Sequence, residues 1–105
     1  MASKLYVIVH GDYLPVTVNG TADCRKEIAR IKNEEAFLEV SGDAGQVHPD
    51  MPSPSDDLEV LVCGGIRNAC CSAQLRALQA KGYNADYHDP ACYNYIFGMP
   101  FRPLT

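Results

Sequence analysis

The stretch Leu58-Glu59-Val60-Leu61-Val62-Cys63-Gly64-Gly65-Ile66-Arg67-Asn68-Ala69-Cys70-Cys71 decides how the rest of the chain is read. Leu58 to Cys63 is an apolar run of strand length. Gly64-Gly65 permits a tight turn, and helical character then runs from Asn68 to Lys81, where Gly82 is a good C-terminal cap. Strand, glycine turn and helix in that order make half of a parallel-sheet unit. Cys70 falls near the helix N-terminus, where unpaired N–H groups favour a thiolate and are placed to stabilise an oxyanion. Cys70 is therefore the candidate nucleophile; its other reading is a small apolar thiol that packs the helix against the sheet.

Working outward, Lys4 to Val9 is a second continuous apolar strand, and the polar cluster His10-Gly11-Asp12-Tyr13 follows it directly. Tyr13 to Gly20, with Pro15 and the Asn19-Gly20 turn signal, reads as a loop or short hairpin. A helix is expected from Thr21 or Asp23 to about Asn33, with Cys24, Ile28 and Ile31 facing inward and Arg25, Lys26, Glu27 and Arg30 on the wetter side. Ala36 to Val40 is a strand, Ser41 to Asp57 a long connection rich in Gly, Pro, Asp and Ser, and Tyr83 to His88 a more polar edge strand. From Asp89 onward Pro90, Pro100 and Pro103 predict mostly irregular structure. The order predicts one domain over residues 1–105, a small three-layer α/β sandwich with a mostly parallel sheet of about four strands and right-handed crossovers.

The chain has 105 residues and a net charge of -4. With no basic stripe, it does not read as a nucleic-acid binder. No apolar run approaches the roughly 20 residues that span a bilayer. Five cysteines, an odd count with an adjacent pair, suit free thiols in a reducing compartment, so a cytoplasmic protein is expected. A sheet of about four strands leaves a face or edge uncovered, so homo-oligomerisation is expected, and the tail residues Tyr93, Tyr95, Ile96, Phe97, Met99, Phe101 and Leu104 must pack on their own domain or on a partner subunit.

Sites in such sheets gather where strand C-terminal ends meet helix N-termini. His10, Gly11, Asp12, the segment Gly64 to Cys71, His88 and Asp89 all fall at such ends. Asp12 or His10 is either a base that activates the thiol or an ordinary turn residue. Arg67 is either an anchor for a ligand carboxylate or phosphate, or a structural ion pair with Asp89 or Asp12. Asp43 and His48 in the long loop supply only two ligands where zinc needs three or four, so no metal and no other cofactor is expected. Three residues separate Cys63 from Arg67, too few for a tyrosine-phosphatase loop. Cys70-Cys71 is not a Cys-x-x-Cys redox motif, and Gly64-Gly65 is not a dinucleotide fingerprint.

Val62 to Cys71, taken with Gly82-Tyr83 and Asp89-Pro90-Ala91-Cys92, resembles the isochorismatase-like cysteine hydrolases, the superfamily that includes nicotinamidases. Cys70 falls on that family's nucleophile, and Asp12-Tyr13-Leu14 is similar to the end of its first strand. The resemblance implies an isochorismatase-like, Rossmann-like fold that attacks an amide (C–N) bond of a small metabolite through a thioester at Cys70. It implies Asp12 or His10 as base and Arg67, Gly65 and Ile66 at the substrate, with a strained or cis peptide near Gly65-Ile66 turning one amide inward. The chain departs from the family where Arg67 replaces a Thr, where Val9 or His10 stands in place of the first-strand Asp, and where Gly45 to Asp57 carries no Lys. Those departures imply the alternative, a catalytically inactive ligand-binding or assembly protein on the same scaffold.

Overall fold

Two strands with unbroken apolar runs form the centre of the sheet. The computed structural model describes residues 3–10, 22–94 and 102–103. Strand β1 (Ser3–Val9) pairs in parallel with β3 (Leu58–Cys63) on one side and with β2 (Phe37–Val40) on the other. Strand β4 (Asn84–Tyr87) adds in parallel to β3, giving the order β2-β1-β3-β4. Tyr6 to Val9 and Val60 to Cys63 are buried, as strands covered on both faces must be. β4 alternates exposed and half-buried positions, which is why its sequence is the most polar.

Helix α1 (Ala22–Glu34) buries the predicted stripe Cys24, Ile28 and Ile31. Helix α2 (Ser72–Ala80) buries Gln74, Leu75 and Leu78. The stripe Cys71, Gln74, Leu75, Leu78 has the i, i+3, i+4, i+7 spacing of one helix face. The β1–β2 and β3–β4 crossovers run in opposite directions along the sheet, so right-handed connections put α1 and α2 on opposite faces. The β2–β3 connection passes over the α2 face. There Gln74 Nε2 donates to Ala44 O at 2.8 Å and to Gln46 O at 2.9 Å, and Tyr83 donates its hydroxyl to Pro52 O.

One local expectation needs correction. The helix does not begin as an α-helix at Asn68; Arg67–Cys71 is a π-helical turn, closed by Cys71 N–H to Ile66 O at 3.2 Å. The segment after β4, expected to be mostly irregular, holds short regular pieces. Asp89–Ala91 is a 3₁₀ turn, and β5 (Tyr93–Asn94) pairs antiparallel with β6 (Arg102–Pro103). Pro90 suits the 3₁₀ turn because its missing N–H falls among the orphan donors. The expectations for Gly11 to Thr21, Asp12 among them, and for the apolar tail from Tyr95 to Phe101 lie outside the described residues. Among the described residues no helix is long and apolar enough to cross a membrane.

Candidate functional site

Connections from β1 and β3 leave in opposite directions, which makes the carboxyl end of the sheet between those two strands its topological switch point. His10 follows β1 there and Gly64-Gly65 follows β3. The glycines are required by closeness. A Cβ on Gly64 would stand 2.7 Å from Ile8 Cγ2, and φ there is +100°. A Cβ on Gly65 would stand 2.5 Å from Cys70 Sγ and 2.9 Å from Val9 O. The turn after β3 is thus laid directly on the end of β1, and Gly64 N–H is tied to Ala91 O at 2.8 Å.

His10 is the one non-glycine residue with positive φ among those described, at 53°. Its N–H continues the sheet by donating to Val40 O at 2.8 Å. Its ring Nε2 bonds Gly42 O at 2.6 Å, and since a carbonyl only accepts, Nε2 carries a proton. The same ring is close enough to Cys70 to act on its thiol. β1 and the π turn therefore bring two of the predicted residues, His10 and Cys70, together.

The thiolate expected at Cys70 is not favoured. Its neighbour Cys71 and then partial burial push the Cys70 thiol well above the free-thiol range, and His10 pulls it down only in part. The sulfur lies over Gly65, with its S–H directed to Ile66 O at 3.7 Å. The π turn causes this. Ile66 O also accepts from Ala69 N–H at 3.1 Å and from Cys71 N–H, so these two first-turn donors are unavailable to an oxyanion. Cys71 itself is fully buried. A hydrogen bond with Cys70 lowers its thiol, but Cys92 and burial outweigh that and push it up to about 12.

Arg67 donates from Nε to Asp89 Oδ1 at 3.1 Å and lies over Tyr87, 4.1 Å from the ring centroid. Both ends of that pair are more than a third exposed, so it contributes about 0–1 kcal/mol, but it occupies the guanidinium. Ile66 enters the π turn with an extended backbone, ψ 117°, and the described residues contain no cis peptide at Gly65-Ile66 or elsewhere.

Beside His10, across Gly42, an open cavity of about 180 Å³ is cut into the β2–β3 connection and lined in part by Asp43 and His48. Asp43 Oδ1 accepts Gly45 N–H, and His48 Nδ1 accepts Asp50 N–H. Among the described residues no group of three or more His, Cys, Asp or Glu side chains is arranged to hold a metal ion.

Gln74, and the pairing of His88 with Glu27, were not singled out from the sequence. Gln74 holds the wall of this cavity and is itself fully buried, with Oε1 lacking a hydrogen-bond partner among the described residues. Its place on the inward stripe of α2 was the available signal. On the α1 face, His88 Nε2 bonds Glu27 Oε2 at 2.6 Å, with the edge of the His88 ring against Tyr6. Arg30 first, and His88 after it, hold the Glu27 carboxyl down to about 2 against the opposing effect of burial.

In comparisons with protein-family models, curated proteins and solved structures, nothing matches this chain.

Proposed function

We propose that the carboxyl edge of the sheet is a small-molecule site in which Cys70 attacks an amide or related carbonyl and His10 is its base, making the protein a small cysteine hydrolase. The observation that carries this is the His10 ring, fixed by Gly42 O on one nitrogen and close enough to Cys70 to act on its thiol. With Nε2 committed as a donor, Nδ1 is the acceptor of a neutral ring. Because the resting thiol is protonated, activation belongs to the moment of attack. The thiol proton passes to His10 as the C–S bond forms. The same proton then goes to the leaving amine as the C–N bond breaks, and water hydrolyses the thioester. The resemblance to isochorismatase-like hydrolases supports the position of Cys70, and the free thiols support a reducing, cytoplasmic setting. The edge strands β2 and β4 are where copies would meet in a homo-oligomer.

A second reading, ligand binding without turnover, is supported by the raised Cys70 thiol and by the commitment of Arg67 to Asp89 and Tyr87. p-Nitrophenyl acetate separates the two. Hydrolysis predicts acetyl on Cys70 by peptide mass mapping, sustained nitrophenolate release, and acylation slowed roughly 100-fold by His10→Ala. A single burst at Cys70 without further release supports the binding reading. Acetyl on other residues with Cys70 untouched overturns the assignment of Cys70.

A further inference from the structure

The cavity across Gly42 from His10 has a composition that selects charge. Val40, Val47 and Pro49 give it apolar walls, and Glu39, Asp43 and His48 supply polar groups. No Lys or Arg is among the described residues that line it. Lys32 pairs with Glu39, which offsets that charge and leaves Asp43 as the lining carboxylate without an ion-pair partner among the described residues. His48 accepts Asp50 N–H at Nδ1, so its neutral ring presents Nε2–H. An anionic ligand therefore finds no Lys or Arg among the described residues of the lining. The wall also exists before any ligand arrives. Gln74, fully buried, grips Ala44 O and Gln46 O from the α2 side and fixes the loop that carries Asp43.

We propose that this cavity seats a small ligand group bearing a primary ammonium, with its carbon chain against Val40, Val47 and Pro49 and its charge against Asp43. The inference rests on the small-molecule reading of the site and names the substrate class: an amide or related compound with a cationic amine a few bonds from the scissile carbonyl. At about 30 Å³ for each water, the volume holds roughly six waters, the size of a short alkylammonium. Asp43 is a specificity residue in this scheme, and Gln74 a positioning residue.

The test is a ¹⁵N-amide titration of the full chain with n-butylammonium, n-butanol and butyrate. Butylammonium is expected to move the amides of residues 40–49 saturably, with butanol and butyrate about fivefold weaker or more. Asp43→Asn keeps the bond to Gly45 N–H and so leaves the loop intact. It should weaken butylammonium about fivefold while leaving butanol unchanged. Equal binding of the three probes, or an Asp43→Asn variant that binds butylammonium as well as the parent, overturns the inference. The hydrolase reading is scored separately. Cys70→Ser should bind butylammonium unchanged, so saturable binding in a protein that never acylates Cys70 keeps the cation site and sinks the hydrolase. Acylation of Cys70 without selective butylammonium binding does the reverse.

Discussion

Replacing Gly65 by alanine tests the geometry on which the site depends. The added Cβ would stand 2.5 Å from Cys70 Sγ, 2.9 Å from Val9 O and 3.6 Å from Cys71 Sγ. Gly65 is not in the left-handed region, so the cost is steric and not conformational. A side-chain sulfur can swing aside, but Val9 O belongs to the backbone at the end of a central strand and cannot move without disturbing β1. Overpacking of this kind costs about 1–3 kcal/mol. For a domain of this size, at roughly 4–8 °C for each kcal/mol, the melting temperature should fall by roughly 5–20 °C. Calorimetry reads this directly. Gly42→Ala is the control, since a Cβ there meets nothing within 4 Å, and it should leave stability within about 0.5 kcal/mol. Adding Cys70→Ala to Gly65→Ala should recover part of the loss, with the Val9 contact accounting for the remainder. A Gly65→Ala protein as stable as its parent would mean that the turn does not lie on β1, and the pairing of His10 with Cys70 would fall with it.

Three other outcomes follow from the same structure. Glu27 titrates at about 2 when folded, against an ordinary 4.5, so its contribution to stability is complete above the ordinary value and is lost as pH falls toward 2. Acid titrations should show that slope in the parent and a flatter one in Glu27→Gln. Gln74→Met removes two donors from loop carbonyls and should cost about 1–2 kcal/mol, with faster hydrogen exchange across residues 44–50. Leu78→Ala empties a fully buried site and should cost about 2–5 kcal/mol in denaturant melts, without changing butylammonium binding.

The sheet was legible because its two central strands are apolar at every position that the structure buries, and because α1 repeats Cys24, Ile28 and Ile31 at helical spacing. Parallel pairing followed from the alternation of strands and helices. The interior of the long connection was not legible. What orders it is a glutamine on another element, together with Tyr83 reaching Pro52, and neither contact leaves a local pattern in residues 41–57. The placement of His10 beside Cys70 was legible only as a shared strand-end address. Which ring nitrogen is committed depends on Gly42 O, a backbone group that any residue would offer. The polarity of Glu27 and Arg30 suggested a solvated face, yet Glu27 is bound into a half-buried cluster with His88, a residue 61 positions away.

The orientation of Cys70 had no signature in the sequence, and the physical reason can be tested. In an α-helical first turn Ile66 O would receive the N–H four residues on, that of Cys70; here it receives that of Cys71, so the turn holds one residue more. One extra residue in straight α geometry would rotate all that follows by about 100° and carry Gln74, Leu75 and Leu78 off the core. The π turn absorbs it, keeping that stripe buried and laying Cys70 over Gly65. Ala69 is exposed within the turn. Deleting it should convert the turn to α geometry at little cost, within about 1 kcal/mol, because the buried stripe keeps its register and the costly exceptions of overpacking and cavity formation do not arise. The same deletion should uncouple the thiol from His10, so that His10→Ala no longer alters the rate at which Cys70 is acylated. A deletion variant that unfolds, or that keeps the full His10 dependence, would show that the π turn is not what aims the sulfur.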